Sequence, residues 1–217
     1  MRCTLFLLIV CLAGPASADL FAAAGRIEFR DASGGCSAAL IEPDVIVTAA
    51  HCISEDEERS YVFRLGSQAS IDPVPVTQIV VHPLYSDFRG QRLRRLRFDI
   101  AVARLSRPIN PEIATRFSTG DEAQTGEGLF MASWRFGPRP RERRCLVIDT
   151  EVPGIVALGC SVRSGESGAP VLRMTETGVE LVAVVNSTAN YKGRSVAFAS
   201  DVRGRIAPLI ARLKHGP

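Results

Sequence analysis

Several features are scarce in this 217-residue sequence, and each scarcity excludes a class of protein. Beyond the N-terminal segment no stretch is apolar enough to cross a membrane, so the mature chain is expected to have no membrane span. The net charge of +3 is too small to favour a nucleic-acid-binding protein. Closely spaced ligand pairs of the kind that hold structural zinc are absent, and we expect no metal site. Helical periodicity is also nearly absent, which argues against a mainly helical fold, and there is no sequence repeat and no low-complexity tract.

The N-terminus has the pattern of a secretory signal. Arg2 supplies a positive charge, residues 5–13 are apolar, and Ala16 and Ala18 give a small-x-small motif. We therefore predict a signal peptide over residues 1–18, with cleavage after Ala18 and a secreted or periplasmic product. An uncleaved membrane anchor is the alternative.

Four cysteines remain after that cleavage, an even number in an exported chain. Export places them in an oxidising compartment, which favours disulfides over free thiols. Three pairings are possible. The short intervening loops favour Cys36–Cys52 and Cys145–Cys160.

Short runs of Val, Ile, Phe and Ala alternate with Gly, Pro, Asp and Ser, a pattern typical of many short strands. Twelve strands are predicted, over 26–30, 37–41, 45–49, 61–65, 74–81, 100–105, 129–136, 145–151, 154–158, 169–172, 181–186 and 196–199. A polar, turn-rich connector at 106–128 separates six strands from six. Ile206, Leu209, Ile210 and Leu213 are spaced as on one face of a short C-terminal helix.

Twelve strands in two sets favour an all-β fold of two packed antiparallel six-stranded β-barrels, because closure removes exposed strand edges. The predicted units are residues 19–118, with the first barrel, and 119–217, with the second barrel and the helix. Together they would form one domain with a cleft between the barrels. A two-sheet sandwich is the alternative, which strand counting alone does not exclude.

Three segments carry candidate chemistry. His51 follows an apolar strand within TAAHC, residues 48–52, beside a cysteine that can pin it. Asp99 opens the apolar strand DIAVARL, residues 99–105. Ser167 lies between two glycines in GESGAP, residues 165–170, where unusual backbone angles are available. Each residue alone is more simply explained structurally, but His, Asp and Ser in this order match a known order of the catalytic triad.

A rival set, Ser167, Asp201 and His215, follows the order of the α/β-hydrolases. That family needs glycine two residues after the serine, where this chain has alanine, and alternating strands and helices, which are absent. His215 also lies close to the end of the sequence, where chains fray.

The three segments in this order resemble the chymotrypsin/trypsin family of serine proteases. Further matches are GCSAALI at 35–41, VHP at 81–83 with Tyr85, and Ser133-Trp134. The sparse cysteines are similar to those of bacterial secreted members. The resemblance implies that Ser167 is the nucleophile, His51 the general base and Asp99 the group that orients it.

It further implies an oxyanion hole formed by the backbone N–H groups of Gly165 and Ser167, a protein or peptide substrate, and no cofactor. Two other functions stay open: a non-catalytic protease-like binding protein that uses its basic loops, and an esterase on the same scaffold.

The sequence departs from the family pattern in two places. Many members of the family are activated by a cleavage that creates a new N-terminus, which then pairs with an aspartate next to the catalytic serine. In this chain Glu166 stands at the position of that aspartate. The only suggestive activation site, Arg26-Ile27, appears within the first strand, so we predict no such cleavage and an arginine partner for Glu166.

The resemblance implies a substrate pocket formed by Ser161, Asn186 and Thr188. Ser161 stands where trypsin-like members have an aspartate that binds an Arg or Lys side chain of the substrate. Small or medium apolar side chains are therefore expected at the cut.

Arginines crowd two segments, which is ordinarily the composition of a solvated loop. The alternative is that these Arg-rich loops attract an anionic partner. Their members are Arg89, Arg92, Arg94, Arg95 and Arg97, then Arg139, Arg141, Arg143 and Arg144.

Overall fold

The computed structural model describes residues 21–30, 34–53, 60–66, 72–88, 90–134, 140–149, 151–191 and 193–215. The predicted signal peptide and its cleavage point at Ala18 lie outside these residues, as do Arg89 and Arg139. Within the described part of the chain, no helix has the length and apolar character that crossing a membrane requires.

The first six strands form a closed antiparallel barrel in the order β1-β2-β3-β6-β5-β4. Its strands are β1 (Ala24–Phe29), β2 (Gly35–Glu42), β3 (Val45–Thr48), β4 (Tyr61–Leu65), β5 (Val74–Val81) and β6 (Ala101–Leu105). Ile27, Ile46 and Phe63 are among the large side chains buried at its centre. β-Branched and aromatic residues fill a pleated, curved surface well, which explains why these runs form strands.

The second barrel closes in the order β11-β8-β9-β10-β13-β12, because β11 also pairs with β12. Its strands are β8 (Gly128–Ser133), β9 (Arg141–Asp149), β10 (Ile155–Leu158), β11 (Pro170–Thr175), β12 (Gly178–Tyr191) and β13 (Arg194–Asp201). A two-residue strand, β7 (Ser118–Thr119), adds in parallel to β12. The prediction of two six-stranded antiparallel barrels is confirmed, and the sandwich is excluded.

Three short helices complete the described fold: α1 (Pro83–Asp87), α2 (Arg92–Leu96) and α3 (Ile206–His215). The helix predicted near the end is α3, and Pro208 is tolerated because it lies in the first turn. Although α3 follows the second barrel in sequence, it packs on β5 and β6 of the first. Leu209 and Leu213 are buried there, and the Arg104 Nη2 donates to the Leu213 carbonyl at 3.2 Å.

Both expected disulfides are present. Cys36–Cys52 ties β2 to a 3₁₀ turn, Ala50–Cys52, which follows β3. Cys145–Cys160 ties β9 to the loop after β10. One disulfide therefore braces the segment of His51, and the other braces the loop that leads to Ser167.

Candidate active site

His51 and Asp99 are neighbours because the strands that carry them are paired. β3 runs antiparallel to β6 with Thr48 opposite Ala101, so the residues just beyond β3 meet those just before β6. The imidazole Nδ1 lies 2.8 Å from the Asp99 Oδ2, and the backbone N–H of His51 donates to Oδ1 at 2.9 Å. Both carboxylate oxygens are thus hydrogen-bonded, as a carboxyl group only 4% exposed requires.

This contact fixes the chemistry that the ring can perform. When Nδ1 donates to Asp99, the neutral imidazole has its free lone pair on Nε2. The His51 side chain is 36% exposed, so the imidazole is accessible from solvent. A buried carboxylate behind an accessible imidazole is an arrangement suited to accepting a proton.

Ser167 lies in the loop between β10 and β11, with positive φ at Gly165 (+89°) and Gly168 (+80°). Among the described residues, the backbone N–H groups of Gly165 and Ser167 donate to no acceptor. Two unengaged N–H groups in one turn can bind an oxygen that carries negative charge. The N–H of Gly168, by contrast, donates to the Val185 carbonyl at 2.7 Å and anchors the turn.

Ser37, which the sequence interpretation did not single out, joins the serine loop to the first barrel. It is completely buried on β2, and its N–H donates to the Ser167 carbonyl at 2.7 Å. Its hydroxyl accepts from the Trp134 N–H at 2.8 Å and has the Gly165 carbonyl within donating distance at 3.3 Å. Its own carbonyl accepts from the Thr48 hydroxyl at 2.8 Å. A small polar residue within an apolar strand was the available signal.

Ser37 also completes a short bonded path between Ser167 and His51. It follows Cys36, whose disulfide partner Cys52 follows His51 in the 3₁₀ turn. The carbonyl of Ser167 is therefore joined to the His51 segment through one hydrogen bond and one disulfide. The structure brings the neighbourhoods of all three predicted catalytic residues together at the seam between the barrels.

A second set of hydrogen bonds crosses the seam on the Asp99 side. Asn186 on β12 donates through Nδ2 to the Leu96 carbonyl and to the Ser200 Oγ, both at 3.0 Å. The Ser200 hydroxyl lies 2.7 Å from the Leu96 carbonyl and 3.3 Å from that of Asp99. The amide of Asn186, predicted as part of the substrate pocket, thus holds the segment before β6 against the second barrel.

Ser161 and Thr188, the other two predicted pocket residues, are both exposed. The Thr188 hydroxyl donates to the Val196 carbonyl at 3.0 Å across the β12–β13 pair. The Ser161 carbonyl accepts from the Arg143 Nη1 at 2.8 Å. A cation therefore lies beside Ser161, where trypsin-like members are expected to have an anion.

Glu166 is completely buried and fully hydrogen-bonded. Its Oε1 accepts from the Arg143 Nη2 at 2.8 Å and from the Ser133 hydroxyl at 3.0 Å, while Oε2 accepts from the Arg163 N–H at 2.8 Å. Burial alone would raise the pKa of Glu166, but these donors and the charge of Arg143 outweigh burial and lower that pKa. The structure therefore supplies the arginine partner expected for this residue.

The same arrangement bears on activation. Ile27 is 1% exposed and is paired in β1 with Cys36 on one side and Phe63 on the other. A new N-terminus at Ile27 could reach Glu166 only if β1 left the barrel. Arg143 already occupies the position of such a partner.

The rival set is separated. Asp201 binds Arg205, with 3.1 Å between Oδ2 and Nη1, and His215 lies at the end of α3 on the first barrel. Within the described residues, one group has metal-like spacing: Cys36, His51 and Cys52. Its two sulfurs are bonded to each other, so they offer no thiolate to a metal.

Two barrels with an imidazole, a buried carboxylate and a glycine-flanked serine along their seam define a chymotrypsin-like fold. The family model described as Trypsin matches residues 15–137, more than half of the chain, and the chain belongs to the trypsin family. That match includes His51 and Asp99 and ends before Ser167. The family and the fold support a serine peptidase function.

Individual relatives agree with this assignment. Chymotrypsin-like elastase family member 3A of Homo sapiens is 27% identical over 208 residues, covering 81% of this chain and 75% of the relative. A trypsin of Simulium vittatum is 26% identical over 154 residues, covering 66% of this chain and 58% of its own length. Among solved structures, a Glu endopeptidase superposes with a TM-score of 0.71 at 18% identity, covering 90% of this chain and 91% of the other.

The approach of the serine loop to β2 and β3 can be tested at Gly168. A Cβ there would lie 2.0 Å from the Ser37 carbonyl oxygen and 2.2 Å from the Thr48 Oγ1. Gly126 has a similar φ of +89° and nothing within 4 Å of its Cβ position. We expect Gly126→Ala to lower the free energy of unfolding by about 1 kcal/mol through backbone strain alone. Gly168→Ala should cost several times more in urea unfolding, and equal costs would contradict the close approach.

The buried ion pair can be tested at Arg143. Arg143→Met would leave Glu166 buried without its cation and should destabilise the protein by about 3–5 kcal/mol. The matched control is Arg144→Met, on the exposed neighbouring side chain of β9. Urea unfolding of both variants measures the difference, and a similar small effect at both positions would refute the pairing.

This pair also predicts a pH dependence. Because the pKa of Glu166 is lowered on folding, its charged form stabilises the protein fully above the ordinary glutamate pKa of about 4.3. That stabilisation is lost as the pH falls through the lower pKa of the folded state. In urea unfolding at decreasing pH, the free energy of unfolding should therefore fall less steeply for Arg143→Met than for the parent protein.

Proposed function

We propose that this chain is an exported serine endopeptidase that hydrolyses peptide bonds through His51, Asp99 and Ser167. The observation that carries the proposal is the hydrogen bond between His51 Nδ1 and the buried Asp99, together with the path through Ser37 that joins this pair to Ser167. The two disulfides and the trypsin family favour an extracellular protein. A signal peptide that ends at Ala18 would provide the export.

The proposed reaction has two stages, the acylation of Ser167 and the hydrolysis of the acyl group. In the first, the Ser167 Oγ bonds to the scissile carbonyl carbon while His51 Nε2 takes the hydroxyl proton. The C–N bond then breaks, the same proton passes to the leaving amine, and an acyl group remains on Ser167. In the second stage water attacks that acyl group, His51 again moves the proton, and Ser167 is regenerated with release of the acid.

The surroundings suit each charge that develops in this reaction. Asp99, held by two hydrogen bonds, stabilises the imidazolium and keeps the ring in the tautomer that exposes Nε2. The unengaged N–H groups of Gly165 and Ser167 are the donors for the oxyanion. Each donor of this kind contributes roughly 3–4 kcal/mol in the transition state.

The region of Ser161, Asn186 and Thr188 favours small or medium apolar side chains at the cut. The guanidinium of Arg143 binds the Ser161 carbonyl and opposes an incoming Arg or Lys. Thr188 brings a branched side chain to the adjoining strand edge, where a substrate could pair by strand addition. The amide of Asn186 is occupied by Leu96 and Ser200 and contributes to the shape of the region rather than to substrate hydrogen bonding.

The nucleophile is tested by Ser167→Ala, with Ser164→Ala in the same loop as the control. A fluorophosphonate should label the parent protein and Ser164→Ala, and labelling should be lost in Ser167→Ala. Peptidase activity should fall by a factor of about a million in Ser167→Ala, because the triad acts as a unit. A folded parent protein that takes up no label would favour a non-catalytic binding protein instead. Hydrolysis of esters without hydrolysis of matched amides would favour an esterase.

The specificity is tested by profiling cleavage of a peptide library. We expect Ala, Val or a similar side chain before the cut. In Thr188→Gly the preference should shift towards larger apolar side chains, because the branched side chain is removed. A clear preference of the parent protein for Arg or Lys would rule out the proposed pocket while leaving the triad intact.

A further inference from the structure

A cavity of about 380 Å³ opens beside the proposed general base, His51. It is formed where α1 and α2 pack together between β5 and β6. Its lining residues are His51, Tyr85, Gly90, Arg95, Leu96 and Asp99. His51 and Asp99 belong to the proposed catalytic set, so a ligand in the cavity would lie close to the reacting atoms.

Arg95 is held in place within this lining. Its guanidinium carbon lies 4.1 Å from the centre of the Tyr85 ring, and its Nη2 donates to the Tyr85 hydroxyl. Its Nε is buried and has no acceptor among the described residues. A stacked guanidinium with a fixed plane loses little conformational freedom when it binds a carboxylate, which is a reason for arginine rather than lysine at such a site.

The charge of Arg95 is not neutralised within the described part of the protein. No carboxylate there lies within 4 Å of Arg94, Arg95 or Arg97. Elsewhere arginines do find acidic partners: Arg104 pairs with Asp44 and Arg173 with Glu127. Asp99, the one carboxylate among the described residues that line the cavity, is already engaged by His51 through both oxygens.

A cation that has no acidic partner among the described residues opposes the proposed reaction unless a negative charge compensates it. His51 must become positively charged as it takes the proton of Ser167, and like charges in one cavity repel. A negative charge placed against Arg95 would remove that repulsion and would also form a charge-assisted hydrogen bond. A carboxylate of the substrate could supply this charge.

We propose that this cavity binds an acidic side chain, Asp or Glu, of the peptide substrate close to the cleaved bond, with Arg95 as its specificity-determining residue. The proposal rests on the proposed peptidase function and names part of its substrate class. It also assigns different roles to neighbouring arginines. Arg94 is exposed, lies 5.9 Å from the Phe88 ring centre and does not line the cavity.

The test compares two matched variants, Arg95→Met and Arg94→Met, each removing one charge from α2. Peptide pairs that differ only by Asp against Asn at each position near the cut give the ratio of kcat/KM values. The parent protein should prefer Asp at one such position, and Arg95→Met should lower this ratio about fivefold to tenfold. Arg94→Met should leave the ratio within about twofold of the parent value, since exposed charges contribute little.

Salt and a conservative variant extend the test. Raising NaCl from about 0.05 M to about 0.5 M should reduce the parent preference for Asp. Arg95→Lys keeps the charge but loses the fork-shaped donor set, so it should retain part of the preference. This variant and the parent salt series decide the question if Arg95→Met does not fold.

Equal loss in the Arg94 and Arg95 variants would overturn the cavity as the binding site and point to general electrostatic attraction. A parent protein with no preference for Asp over Asn at any position would overturn the proposal altogether. Fluorophosphonate labelling separates this failure from that of the peptidase function. A labelled protein without acidic preference defeats only the cavity proposal, whereas an unlabelled folded protein defeats the peptidase function first.

Discussion

The position of the serine loop relative to the first barrel depends on the hydrogen bonds of Ser37. One buried residue of the first barrel binds the Trp134 and Ser167 segments of the second barrel, and it also binds Thr48 within its own barrel. A buried polar group that is fully satisfied tolerates little displacement, because each lost partner leaves an unpaired atom away from water. The relative position of the barrels at the seam is therefore specified by directional contacts as well as by apolar packing.

Two buried carboxylates flank this seam, and each is satisfied in a different way. Asp99 is bound by the backbone and ring of the same histidine, so its charge is directed at the imidazole. Glu166 is bound by an arginine, a serine and a backbone N–H, so its charge stabilises the loop beside Ser167. Glu166 therefore has a structural role, whereas the next residue in sequence, Ser167, has the proposed chemical role.

Much of the fold could be predicted because strand formation depends on local patterns. The runs at 61–65 and 74–81 became strands with the predicted bounds, since apolar, aromatic and β-branched residues there are bounded by Gly66, by Pro73 and by the His82-Pro83 pair. β12 is longer than its apolar core at 181–186 because pairing with β13 continues through polar residues as far as Tyr191. β7 has only two residues and depends on a neighbouring strand, so no local pattern could indicate it.

The site was predictable where a residue's role depends on its neighbours in sequence, and not where it depends on the other barrel. His51 and Asp99 could be paired through motif and order. The sequence also favoured an arginine for Glu166, but Arg143 could be selected from several only by β9 lying beside the serine loop. The segment around Arg95 was interpreted as a loop because its charges mask a short helix, α2, whose stability comes from packing rather than periodicity.

The position of α3 has a consequence for how the chain reaches this structure. The helix seals the face of β5 and β6 with Leu209 and Leu213, yet every strand of the second barrel precedes it in the chain. A first barrel emerging during synthesis or export therefore keeps an apolar strip uncovered until the second half has followed. The first barrel therefore buries this face only after a helix that follows the second barrel in the chain has packed on it, so α3 couples the folding of the two halves.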